Sequence, residues 1–178
     1  LLNDVPSARL FDEILKLLMS GYSWAAIQGL KDAGLHHGLL PLLDHILDDG
    51  EASKGANSFV KLALENTDQR IQSGKSVSAG FLFATLLWPD LLKNWKTNTA
   101  KGMANIPALH DAMDDTIATQ SSGMTIQRRF ESDVREIWSM QPRFERRVGR
   151  YPYRLIESPR FRAGYDFMLL RCANGELN

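Results

Sequence analysis

Cysteine is nearly absent from this chain: Cys172 is the only one in 178 residues. An internal disulfide framework is thereby excluded, and the usage suits a reducing compartment. Long apolar runs are missing too. The longest stretch of apolar or small residues, 79–88, is far short of the roughly 20 that a membrane-crossing helix needs. No secretory signal opens the sequence. It starts at Leu1, without methionine and in mid-pattern, as expected of a piece cut from a longer protein. There is no nucleophile elbow, no phosphate-gripping glycine loop and no Cys-x-x-Cys. Period-two alternation is almost missing and no internal repeat is visible.

What is present points to a folded, water-exposed chain. With 44% hydrophobic and 24% charged residues, the composition is neither disordered nor membranous. A chain of this length buries roughly 70% of the surface it exposes when unfolded, so no disulfide or metal staple is required. The formal net charge is zero, yet its distribution is uneven. Residues 1–122 carry a net charge of −4, whereas 123–178 carry +4, from 11 arginines, no lysine and 7 acids. Such asymmetry hints at an anionic partner.

The punctuation is that of short helices. Ser7 is placed to cap a helix over 8–20, with Leu10, Ile14, Leu17 and Leu18 as its apolar stripe and Gly21 as its stop. Ser23 opens a second, through Trp24, Ile27 and Leu30, that Gly34 ends. A third is expected over 39–47 and a fourth over 55–73. Ser78 starts a fifth and very apolar one, interrupted at Pro89-Asp90, where a further helix begins. Residues 96–105 read as a surface loop and 106–118 as a weaker amphipathic helix. Thr125 is expected to cap a helix bearing Ile126, Phe130, Val134, Ile137 and Trp138. Ser158-Pro159 is expected to open the last helix, with Phe161, Tyr165, Met168, Leu169 and Cys172 facing inward. The expected fold is all-α, an irregular array of about 8–10 short helices.

The sharpest local feature is the run from Arg143 to Arg150. In helical form, Arg143, Arg146, Arg147 and Arg150 share one face, with Glu145 the only acid among them. Such a stripe matches a phosphate backbone. Arg128, Arg129, Arg154, Arg160 and Arg162 are candidates to extend it, although Glu131–Arg135 and Arg129–Asp133 also have the spacing of neutralising pairs. Aromatic residues interleave, as in proteins that stack single-stranded RNA. Tyr151 and Tyr153, flanking Pro152, are the expected exposed pair, while Phe130 and Phe161 fall on apolar stripes. His110-Asp111 carries the dipeptide of metal phosphohydrolases, but His36, His37 and His45 lack a fixed spacing to it, so no metal site is assigned. Ser7, Ser23, Ser78 and Ser158 read as helix caps. Two-metal nucleotidyl transfer requires close carboxylates, commonly Asp-x-Asp on a strand, and the sequence offers neither.

Residues 1–18, LLNDVPSARLFDEILKLL, resemble the end of the neck of bacterial poly(A) polymerases, in the class that includes the tRNA CCA-adding enzymes. Asn66-Thr67-Asp68-Gln69-Arg70-Ile71, Phe81-Leu82-Phe83-Ala84 and Phe161-Arg162-Ala163-Gly164-Tyr165-Asp166 follow in the family's order and at similar spacing. The resemblance implies a neck end, a helical body and a basic RNA-binding leg, expected at 1–21, 22–122 and 123–178, with the last boundary at Gln120-Ser121-Ser122-Gly123, where the charge also switches sign. It implies a bacterial, cytoplasmic parent that adds AMP from ATP to RNA 3′ ends. ATP and Mg2+ would sit in an N-terminal catalytic head, and Arg9, Glu13 and Lys16 would brace that head. This chain would then be inactive alone, and it stops at Asn178, ahead of the strongly basic tail common in the family. Arg9–Glu13 and Asp12–Lys16 also read simply as i,i+4 surface pairs. Two rival readings stay open. One is a CCA-adding parent. The other is a protein–protein module, with 22–122 presenting an apolar groove.

Overall fold

The eight residues from Ala79 are almost all apolar or small, and the chain is arranged to cover seven of them. The structure, a computed structural model, describes residues 7–34 and 54–177. Among these, nine helices follow one another: α1 Ser7–Leu18, α2 Ser23–Asp32, α3 Lys54–Gln72, α4 Ala79–Leu86, α5 Trp88–Ala100, α6 Asn105–Ser121, α7 Arg128–Phe144, α8 Tyr151–Ile156 and α9 Phe161–Ala173. No strand occurs among the described residues, and the all-α expectation holds. The helix expected over 39–47, with His36, His37 and His45, lies outside them.

The start of α4 follows the sequence reading, since the Ser78 hydroxyl accepts the Phe81 N–H at 3.4 Å. Seven of its eight residues are buried, Phe81 alone being partly exposed. Helix α7 lies across it. The Trp138 indole N–H donates to the Ala84 carbonyl at 3.1 Å, and Gly80 meets Asp133 so closely that a Cβ on Gly80 would stand 2.5 Å from that of Asp133. From the other side, Phe11 of α1 stacks on Phe83 at 5.3 Å and on Phe130 of α7 at 5.7 Å. Phe11 and Phe83 are fully buried, and a large apolar side chain so buried contributes about 1.5–3 kcal/mol. Helices α5 and α6 then pair, tied by Trp95 Nε1 to the Asn105 carbonyl at 3.0 Å and by Asn94 to Thr116 at 3.1 Å.

Several local expectations need correction. The loop expected over 96–105 is helical as far as Ala100. There the Thr97 and Thr99 hydroxyls return to the carbonyls of Lys93 and Trp95, so polar residues do not break the helix. Ser23 does not cap α2 but sits buried in its first turn. The cap comes from far along the chain. The Asp68 carboxylate on α3 accepts the N–H groups of Ser23 and Trp24 at 2.8 and 3.3 Å, and Gln72 donates to the Gly21 carbonyl at 2.6 Å. Helix α7 begins three residues after Thr125, because Met124 and Ile126 are drawn into the core ahead of it.

Helix α9 is turned relative to the expectation. Gly164, Phe167, Leu170 and Arg171 face inward, while Tyr165, Leu169 and Cys172 are exposed. The reason is twofold. Gly164 allows close contact with Met140, and the Arg171 guanidinium is compensated inside by Glu176 at 2.8 Å, Gln141 at 3.2 Å and the Trp88 ring at 4.7 Å. Ser158 lies ahead of the helix, where its hydroxyl donates to Glu136 at 2.6 Å.

Because Asp68 supplies two N-terminal hydrogen bonds to α2, Asp68→Ala is expected to lower stability by about 1 kcal/mol in urea denaturation, and Asp68→Asn by less. Equal stability of Asp68→Ala and wild type would show that water caps α2 as well.

Candidate nucleic-acid interface

The long helix α7 runs out shortly after Pro142, which has no N–H to give the Trp138 carbonyl, and it ends at Phe144. Residues 145–150 are irregular, with Gly149 at φ +64°, a left-handed conformation suited to glycine, before α8 starts with Pro152 in its first turn. The single helical stripe expected over 143–150 therefore does not form. Arginines are gathered instead around a bend. Arg146, Arg150 and Arg154, with Val148, Gly149 and Tyr151, line an open concavity of about 380 Å³. The Arg146 guanidinium lies over the Tyr151 ring at 4.3 Å, an orientation in which the ring's negative face attracts the cation.

Charge pairing separates the candidates. Arg143, Arg147, Arg150 and Arg154 are exposed, and among the described residues no carboxylate pairs with them. Arg160, by contrast, bonds Asp133 at 2.7 Å, so the expected Arg129–Asp133 pair is not made. Arg162 is held by Asp166 at 3.0 Å, and Arg135 by Glu131 at 3.0 Å, as expected, and also by Asp114 at 2.7 Å. Arg128 and Arg129 lie at the opposite end of α7, roughly 22 Å from Arg143 at 1.5 Å per residue, and Arg129 rests on the Phe130 ring at 4.4 Å. The nine candidate arginines thus resolve into one cluster over 143–154, a remote pair and two neutralised members. Four or five uncompensated guanidiniums around one bend are equipped to bind phosphate oxygens through charge-assisted hydrogen bonds.

Tyr153 is 69% exposed and Tyr151 half-buried. Val148 and Ile156, not singled out in the sequence, are also bare, at 71% and 58%. Phe144 and Phe161 are partly buried, and with exposed Tyr165 they form an aromatic group beside the bend. Their interleaving with arginine was the available signal, obscured by the apolar stripe that placed Phe161 inside. On the outer face of α1, Arg9, Glu13 and Lys16 are exposed. Lys16 bonds Glu13 at 2.7 Å, one residue closer than the expected i,i+4 pairs, and so holds the Glu13 carboxyl below the usual carboxylate range. His110 and Asp111 are exposed on α6, and no three His, Cys, Asp or Glu side chains converge among the described residues.

Two protein-family models match. One, described as the arginine-rich C-terminus of polymerase A, covers residues 101–178. The other, described as the probable RNA- and SrmB-binding site of polymerase A, covers 1–47. Poly(A) polymerase I of Escherichia coli O157:H7 and that of Salmonella typhimurium are each 35% identical over 173 residues. The protein of the same name from Haemophilus influenzae is 33% identical over 177. Each match covers 96% of this chain, and the chain spans only 37–38% of the length of these curated relatives.

The irregular backbone of 145–150 has a direct readout. Limited trypsin digestion is expected to cut after Arg146, Arg147 or Arg150 well before the helical Arg128, Arg129 and Arg171. Resistance of the bend equal to that of the helices would restore the helical stripe.

Proposed function

We propose that this chain, matched over 1–47 and 101–178 by models of polymerase A regions, is the RNA-holding part of a bacterial enzyme that adds AMP from ATP to RNA 3′ ends. The observation that carries this reading is the cluster of uncompensated arginines around the bend between α7 and α8. A bare cluster of like charge repels itself, and an anionic polymer relieves that repulsion while releasing its own counterions. The match to the arginine-rich model over 101–178 supports the same placement.

In this proposal residues 1–21 end the neck, 22–122 form the body and 123–178 form the leg. The outer face of α1, with Arg9, Glu13 and Lys16, meets a catalytic head outside this chain. ATP and Mg2+ belong to that head. The described residues bring together no carboxylate set fit for two metal ions, so no step of the transfer is assigned to them. The cytoplasm of a bacterium is the proposed setting: the matched relatives are bacterial, and no described helix is long and apolar enough to cross a membrane. An apolar docking groove on 22–122 has less support, since the large exposed apolar side chains described there are only Tyr22 and Ile106.

Fluorescence anisotropy with a single-stranded RNA across a salt series tests this reading. Binding is expected to weaken with salt by about 0.7 log units of affinity per log unit of salt for each phosphate contacted. Arg146→Glu/Arg147→Glu is expected to reduce that slope by about 1.4 and to weaken binding to every sequence alike. If Arg9→Glu/Lys16→Glu abolishes binding and the loop variant does not, the RNA lies along α1 and the bend is merely a solvated surface.

A further inference from the structure

Helix α9 is apolar on two sides. One side enters the core through Phe167 and Leu170. The other shows Tyr165 and Leu169 to solvent, 39% and 45% exposed. On that outer side Phe161 stacks on Tyr165 at 5.9 Å with their planes 22° apart, and Phe144 closes against both, at 6.1 and 6.2 Å. None of the three rings belongs to the hydrophobic core. An apolar helix face is ordinarily buried, yet on this one Tyr165 and Leu169 stay exposed beside the three-ring group.

Its place in the fold indicates what covers it. Phe144 is the last residue of α7, flanked by Arg143 and by the bend that carries Arg146, Arg147 and Arg150. The aromatic surface is therefore continuous with the arginine cluster. An apolar protein surface laid here would leave neighbouring guanidiniums without counter-charge. A single-stranded nucleic acid satisfies both halves, because its bases have π-faces and its phosphates pair with arginine.

We propose that Phe144, Phe161 and Tyr165 form a base-stacking platform that continues the RNA path from the arginine bend onto α9. This rests on the RNA-holding function proposed above and adds a second subsite to it. Stacking requires only the flat face of a base, so the platform accepts any sequence, and its contribution depends on RNA length rather than on salt.

The test measures affinity of the full chain for single-stranded RNAs of increasing length, by anisotropy at fixed and at varied salt. For wild type, affinity is expected to rise again once the RNA extends past the bend. Tyr165→Ala should remove that second rise, weakening long RNA about tenfold, the loss of one stacked base, with short-RNA affinity and salt slope unchanged. Tyr165→Phe should keep the rise, and circular dichroism establishes that both variants are folded. RNA carrying 4-thiouridine should crosslink to the 161–169 peptide. Folded Tyr165→Ala that binds long RNA as tightly as wild type, or crosslinks confined to 145–154, overturns the platform while leaving the arginine bend intact. A concentration-dependent dimer that Tyr165→Ala dissociates, with RNA affinity unaltered, overturns it in favour of a self-interface. Absence of RNA binding by wild type overturns both readings together.

Discussion

The fold depends on hiding one short helix. With seven of the eight residues of α4 buried, every neighbour must present it with an apolar or hydrogen-bonding surface. Helix α7 does both, since its Trp138 fills space and also donates to a carbonyl of α4. A buried indole N–H left without an acceptor carries a desolvation cost of about 1–3 kcal/mol, so this one bond fixes both the depth and the rotation of α7. Gly80 fixes the approach, as it leaves no Cβ between α4 and Asp133. Once α7 is set in this way, the exit of its C-terminal end determines where the basic bend appears on the surface.

Much of this was legible in the residues. The strong apolar content of 79–88, the cap at Ser78, the break at Pro89 and the stops at Gly21 and Gly34 all act locally, and local signals survive into the structure. What stayed hidden acts at a distance. The cap of α2 comes from Asp68, 45 residues later, and no neighbour of Ser23 in sequence announces it. The inward face of α9 contains a glycine and an arginine, both of which an apolar pattern assigns to the outside. Only knowledge of Glu176, Gln141 and Trp88 around Arg171 reverses that reading. For the candidate site, residue identity was legible but geometry was not. The clustering of arginine near 143–150 is plain in the chain, whereas Pro142 and Gly149 turn a stripe into a bend.

The same side-chain type serves opposite purposes within 29 residues. Arg171 is 5% exposed and closes a buried network from Trp88 to the chain's last turn. Arg160 pins the segment before α9 to α7 through Asp133. Arg143, Arg147, Arg150 and Arg154 have no such carboxylate partner among the described residues. Density of arginine therefore says little about which ones bind an anion. The distribution of Asp and Glu around them separates structural cations from available ones, and exposed ion pairs such as Arg162–Asp166 contribute little to stability in any case.

The bend over 145–150 has a further consequence, for how this protein can change over generations. Its side chains are exposed and do not belong to the hydrophobic core, so substitutions there, at the left-handed Gly149 apart, leave the folded state almost untouched, as surface changes usually do. Charge at the bend can drift up or down without a compensating change in the interior. Affinity for an anionic partner is thus a property that selection can retune independently of the scaffold, whereas Trp138, Gly80 and Arg171 leave selection little room.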